Sequence, residues 1–323
     1  MEIGSFLELQ LPNCREWYKG AKDIARLNTG RMGIWHAFRV TGCNRIWIPI
    51  YQCDSIRETF KKKGVEICFY HQDKNFNPID IEAKETDAVL VVNYYGIMSS
   101  ERMVDLAKPY KHPIIDCAQA FFCKPVEGAL TVYSCRKFVG APDGCYVVGK
   151  DAHKYVEEYP QCYSSDTAAF LFMRIEYGCE GKGYEARGLN EHRIDAEDCM
   201  KMSNLTRALM DAEDYDYNQQ KRRENFAYIH QQIGDVNKID PIRYMDDATI
   251  PMVYPLVVED DSLIQKLFAA KHFQGHWWSY ICDEQPVNSF EYWISRYVIP
   301  ITIDQRYGKE ELDYLADIIK NGQ

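Results

Sequence analysis

The chain has 323 residues, 46% of them hydrophobic and 27% charged, with a net charge of −10. That composition excludes a disordered chain and provides for a substantial core. The acidic balance argues against a protein that grips nucleic acid, because that work needs a basic face. No apolar run reaches the roughly 18 residues of a membrane span, and Met1–Gln10 carries Glu2 and Glu8 without the basic start of a signal peptide. Twelve cysteines are scattered with no C-x-x-C pair, which predicts a reduced, cytoplasmic protein with no zinc knuckle.

The predicted elements alternate through the first half. Ile46–Tyr51 reads as a buried strand. Asp54 then caps a helix whose Ile56 and Phe60 share a face, and Gly64 stops it. Val65–Tyr70 is the next strand, and Ala88–Tyr95, apolar on both faces, is a central parallel one. Ser99 caps a helix bearing Met103, Leu106 and Ala107; His112–Ala118, Leu130–Cys135 and Cys145–Val148 are further strands. This rhythm predicts an α/β fold, a large and mostly parallel sheet with helices on both faces. From Ala152 to about Ile233 the pattern is helical and polar, and Asp211–Arg223 reads as a solvated helix face. Pro251–Val258 and Tyr297–Ile301 are strands and Ser262–Ala270 is a helix. Lys309–Asn321 closes the chain as a helix, with Leu312, Leu315, Ala316 and Ile319 on one side and Gly322 as its stop. Residues 1–180 are therefore expected to form a large α/β domain, and residues 181–323 a helical segment with a smaller C-terminal α+β domain. No linker separates them, so the two are expected to pack tightly.

In an open α/β sheet, ligands bind beyond the carboxyl ends of the strands. Four polar groups fall at such places. Asn28-Thr29-Gly30-Arg31 precedes the amphipathic stretch Met32–Phe38; a Gly turn at a helix start suits a phosphate, or simply caps the helix. Asn93-Tyr94-Tyr95-Gly96 offers a polar group, aromatic faces and a turn, or else core aromatics. Asp116 ends an apolar strand, where a carboxylate is costly to bury alone; it can hold a cationic ring nitrogen or cap the next turn. Ser134 and Lys137 end the fifth strand: the amine is a nucleophile once its pKa is lowered and the hydroxyl can donate to a phosphate, or Arg136 and Lys137 are a surface pair. The eight histidines are dispersed, and Gly275 interrupts the helical spacing of His272 and His276, so no metal site is predicted.

The order of these groups is more specific than any one of them. A Gly turn, an aromatic strand end, Asp-x-x-Gln and then Ser-x-x-Lys resemble the layout of fold type I pyridoxal-phosphate enzymes. More narrowly, the sequence resembles the DegT-type sugar aminotransferase family. The matching stretches are Gly30–Ala37, Pro49–Ser55, Val91–Gly96, Ile114–Ala120, Ser134–Gly144 and Ile299–Tyr307. The resemblance implies a pyridoxal 5'-phosphate enzyme that moves an amino group from an amino acid, glutamate above all, to a keto group of a nucleotide-linked sugar for polysaccharide biosynthesis. It implies that Lys137 joins the cofactor and then works as acid and base. Asp116 would keep the pyridine nitrogen protonated, and Gln119 would lie near the ring or its hydroxyl. Gly30 and Arg31 would offer amides to the phosphate, and Ser134 a hydroxyl. Tyr51 or Cys53 would sit near the ring face, with Asn93 also beside the cofactor. A homodimer with active sites shared between subunits follows from the same resemblance.

Some features depart from the family. The chain is shorter than a usual member, and the Ser-to-Lys spacing is tighter. The family's Gly-x-Asn-x-Arg segment, which reaches the neighbouring subunit's phosphate, has no clean match; Lys201-Met202-Ser203-Asn204 is the nearest, with Asn190 and Arg193 as other candidates. Arg187, Arg193 and Arg306 are candidates to receive the substrate's phosphates. These departures leave a second reading: a catalytically silent relative that serves as a binding or assembly protein.

Overall fold

The computed structural model describes residues 5–321. The expectations that fall on Met1–Gly4, and on Gly322 as a helix stop, lie outside those residues. In chain order the elements are β1 (Ile24–Leu27), α1 (Gly30–Thr41), β2 (Arg45–Pro49), α2 (Asp54–Lys62), β3 (Glu66–Gln72), β4 (Pro78–Ile79) and β5 (Asp87–Val92). There follow α3 (Ser100–Ala107), β6 (His112–Asp116), β7 (Leu130–Ser134) and β8 (Cys145–Val148). The second half holds α4 (Ala169–Tyr177), α5 (Lys182–Ala196), α6 (Asn204–Asp211), α7 (Tyr215–Ile233), β9 (Val253–Val257), α8 (Leu263–Ala269), α9 (Ile281–Glu284), α10 (Phe290–Tyr297), β10 (Val298–Thr302) and α11 (Lys309–Asn321).

Eight strands form one sheet in the order β1-β8-β7-β6-β5-β2-β3-β4. The five strands from β7 to β3 run parallel. β8 is antiparallel to both β7 and β1, so β1 points the same way as β7. The carboxyl ends of β1, β2, β3, β5, β6 and β7 therefore share one edge. Chain order reverses between β2 and β5, and that is where a crevice opens in such sheets. The expected α/β fold with a large, mostly parallel sheet is what the chain adopts. β9 and β10 form a separate antiparallel pair.

Burial explains the central strands. All six residues of β5 and all five of β7 are buried, as expected for strands covered on both faces. Helix α1 lies against β6, β7 and β8. It comes close because Gly33 faces the sheet, where a Cβ would stand 2.8 Å from a Val132 methyl carbon. A single hydrophobic cluster runs from Tyr18 to Ile319 and joins both halves. The expected division after residue 180 falls in the turn between α4 and α5, and these two helices pack on each other.

Several local expectations need correction. The strand read as Ala88–Tyr95 ends at Val92, because Asn93 opens a turn in which Tyr95 and Gly96 take φ of 59° and 73°. A side chain at Gly96 would collide with the backbone of Gln119 and Met252, so glycine is required there. Asp54 is the first residue of α2, and Cys53 occupies the cap position without a side-chain bond. Ser99 caps α3 as expected, accepting from the Arg102 amide. The polar run Asp211–Arg223 is not wholly solvated: Asn218 and Arg222 of α7 are buried. β1, β4, α9 and α10 are short elements that periodicity does not reveal.

Candidate active site

The shared strand edge gathers the predicted residues. Helix α1 begins there with Thr29 as its cap, the Thr29 hydroxyl accepting from the Met32 amide. That leaves the Gly30 and Arg31 amides without an acceptor among the described residues, at the positive end of a twelve-residue helix. Ser134, at the end of β7, lies beside them, with its Oγ 4.0 Å from where a Gly30 Cβ would be. Ser134 is 7% exposed, and its hydroxyl makes no hydrogen bond among the described residues. A buried hydroxyl and two open amides form a cradle for an anion such as a phosphate.

Asp116 ends β6 and is 4% exposed. One carboxylate oxygen accepts the Ala118 amide at 2.8 Å and the other accepts Gln52 Nε2 at 3.1 Å. Both donors are neutral, and no salt bridge reaches the carboxylate among the described residues. Burial pushes the Asp116 carboxyl above its ordinary range, while the charge of Lys137, the Ala118 amide and Gln52 pull it back. Lys137 follows Ser134 in a short 3-10 turn and is exposed. It makes no hydrogen bond or ion pair among the described residues. Its turn is held from the second half of the chain. Gln305 Nε2 donates to the Phe138 carbonyl at 2.9 Å, and Arg222, whose Nε donates to Gln305, lies over the Phe138 ring at 4.5 Å. Gln119 is 3% exposed, and its oxygen accepts the Tyr95 amide at 2.7 Å, which leaves the amide nitrogen as its free donor.

The β2–β5 side of the edge is aromatic. Tyr51 is buried, shares a hydrogen bond of 2.5 Å with the Tyr95 hydroxyl, and packs edge-on to Trp278. Trp277 stacks on Tyr95. Cys53 is half-buried, with its sulfur 3.1 Å from the Ser55 hydroxyl. Asn93 is buried, and its amide is engaged at both ends by the Met98 backbone, donating at 2.9 Å and accepting at 3.1 Å. Asn93 thus closes the turn after β5, and its side chain also bonds the Cys123 thiol. Gln52, between Tyr51 and Cys53, is a site residue that strand patterning passes over. Its signal was a lone amide side chain inside the run Ile46–Cys53.

Helix α5 covers the α1 side. Arg31 pairs with Asp195 at 2.7 Å and donates to the Ile194 carbonyl; Arg136 pairs with Glu191. Glu191 and Asp195 are four residues apart, so one helix face meets both arginines. Arg187 stands near the same group, 3.8 Å from Glu191. Burial lowers the pKa of Arg136, with Arg187 and Arg31 adding to the effect against Glu191. Arg306 is paired with Asp304 and Arg193 with Glu197. Asn190 is buried and donates to the Pro142 carbonyl at 2.8 Å, fixing the turn after the lysine. Lys201 bridges to Leu27 and Gln161 and pairs with Glu157.

The likeness to known proteins lies in structure. No protein-family profile matches the sequence, and no curated protein sequence matches it. A DegT DnrJ EryC1 StrS aminotransferase from Brucella abortus matches with a TM-score of 0.64 at 14% identity, over 94% of this chain and 87% of that one. The putative sugar aminotransferase Spr1654 from Streptococcus pneumoniae, in its PLP form, matches with 0.65 at 13% identity, over 94% and 88%. DesI, solved in the presence of its TDP-sugar product, matches with 0.65 at 15% identity, over 94% and 81%. With 94% of its length superposed at a TM-score near 0.65, this chain has the fold of the DegT-type sugar aminotransferases.

Proposed function

We propose that this protein is a pyridoxal-phosphate-dependent aminotransferase acting on a nucleotide-linked sugar, with an amino acid such as glutamate as donor. The observation that carries this is Asp116, a buried carboxylate with only neutral donors, beside an unpaired Lys137. A buried carboxylate calls for a cation, and a protonated pyridine nitrogen is a cation that fits. The open Gly30 and Arg31 amides with the unpartnered Ser134 hydroxyl fit the phosphate at the other end of the same group. The PLP form of Spr1654 and the TDP-sugar complex of DesI support the cofactor and substrate class.

Pyridoxal phosphate, when bound, supplies an aldehyde and an electron-withdrawing ring. The chain's own residues do the rest. Lys137 Nζ would hold the aldehyde carbon and would move a proton at the substrate carbon. Asp116 would hold the ring nitrogen protonated through a charge-assisted contact. The Gln119 amide nitrogen would donate toward the ring's polar edge, and the α1 amides with Ser134 would orient the phosphate. Helix α5 neutralises Arg31 and Arg136 and screens them from water.

We also assign a homodimer with shared sites. Phe172, Ile175 and Tyr177 of α4 and Tyr184 and Leu189 of α5 are exposed apolar side chains on adjoining helices, the kind of surface a subunit interface covers. Sedimentation should give twice the chain mass. The decisive test of function is incubation of the purified protein with pyridoxal phosphate, glutamate and a TDP-linked 4-keto sugar. Formation of an amino sugar with stoichiometric 2-oxoglutarate supports the assignment, and a protein that takes up no cofactor overturns it.

A further inference from the structure

We propose that Gln52 is a positioning residue that sets the charge and orientation of Asp116 toward the cofactor's ring nitrogen; the inference rests on the pyridoxal-phosphate reading above. Gln52 is 3% exposed and lies just beyond β2, while Asp116 ends β6; β5 stands between the two strands. Its side chain therefore crosses the reversal point of the sheet to donate from Nε2 to Asp116 at 3.1 Å. The amide cannot be turned around without loss. Gln52 Oε1 accepts the Cys53 backbone amide at 2.9 Å, so the nitrogen must face the carboxylate. The residue is anchored at its backbone as well, because the Tyr280 hydroxyl donates to the Gln52 carbonyl at 2.6 Å.

This arrangement has a defined chemical effect. With Ala118 on one oxygen and Gln52 on the other, the carboxylate plane cannot rotate freely. Each oxygen retains a lone pair for a further donor. A neutral amide stabilises the charged carboxylate without cancelling its charge, as an arginine in that place would. Gln52 thereby opposes the cost of burial and favours the charged form that a ring N–H would meet.

The test compares Gln52→Leu, which keeps the volume and removes the donor, with Gln52→Glu, which places a second carboxylate against Asp116. Three quantities are read: the melting temperature of the cofactor-free protein, the dissociation constant for pyridoxal phosphate, and the pH midpoint of the bound cofactor's visible absorption band. Losing one charge-assisted hydrogen bond should weaken cofactor binding by roughly 10-fold in Gln52→Leu. The band's midpoint should move to higher pH, because a ring with less positive charge repels the nearby proton less. Two carboxylates in contact share a proton, so Gln52→Glu should move the midpoint the same way. A midpoint unchanged in both variants, in a protein whose wild type binds the cofactor, overturns the role of Gln52 alone. A shift confined to the melting temperature also overturns it, as a packing role would give that result. A wild type with no visible band overturns the underlying functional reading instead.

Discussion

Two buried aspartates sit at opposite ends of adjacent strands. Asp87 opens β5 and is 3% exposed; Asp116 closes β6 and is 4% exposed. Asp87 is fully served: Arg45 pairs with it at 2.7 Å, the Trp47 indole donates at 3.0 Å and the Lys84 amide at 2.9 Å. These donors outweigh burial and hold its carboxyl down at about 2. Asp116 has two neutral donors and, among the described residues, no ion pair; burial outweighs these donors and the charge of Lys137. The first carboxylate has everything it needs from its own chain, as a structural group should. The second is short of one positive charge, at the edge where ligands bind. On the proposed function, the difference separates a charge that holds the sheet together from a charge kept for a ligand.

The largest effect that separates them is catalytic. Asp116→Asn should lower the rate of amino transfer by about 10²–10³-fold, the scale for removing a preorganised charge at a reacting centre, while the melting temperature of the cofactor-free protein stays level or rises. Asp87→Asn should do the reverse. It should cost about 1.5–3 kcal/mol of stability in chemical denaturation, the range for hydrogen bonds to a charged group, and leave turnover per folded molecule unchanged. A stability loss at Asp116 that equals the one at Asp87 would erase the distinction.

Acid should pull the two apart again. A carboxyl held at about 2, below its ordinary 3.8, stabilises the fold above about pH 4. That contribution is lost as pH falls from about 4 through 2. Asp116 has its pKa raised, so the folded state binds the proton more readily, and acidification through the carboxylate range favours folding at that site. Asp87→Asn should therefore flatten the acid limb of a stability–pH curve, and Asp116→Asn should steepen it. The smallest effect belongs to the phosphate cradle. Ser134→Ala should weaken pyridoxal phosphate binding by about 5-fold, near 1 kcal/mol for one hydrogen bond, as read by fluorescence titration.

Much of this was legible in the sequence because its signals are local. A strand apolar on both faces, such as β5, declares a covered parallel strand. Asp116, Gln119, Ser134 and Lys137 follow strand ends at fixed spacing, and the structure brings them to one edge. What escaped depends on contacts across the sheet. Gln52 matters only because its side chain reaches past β5. Asn93 sits at a strand end like the others, and its bonds to the Met98 backbone could not be read from spacing. Arg222 lies in a polar run that reads as solvated, but it is buried over Phe138 to brace the lysine's turn. The carboxylates that α5 brings to Arg31 and Arg136 come from more than fifty residues away, beyond the range of any periodicity.

The most direct measurement is covalent. The protein should be loaded with pyridoxal phosphate, reduced with borohydride, digested and mapped by mass spectrometry, alongside Lys137→Ala. The reduced cofactor should be fixed on Lys137 alone and be absent from that peptide in the variant. A wild-type protein that retains no reduced cofactor, or retains it on another lysine, would contradict the assignment of this edge as the active site.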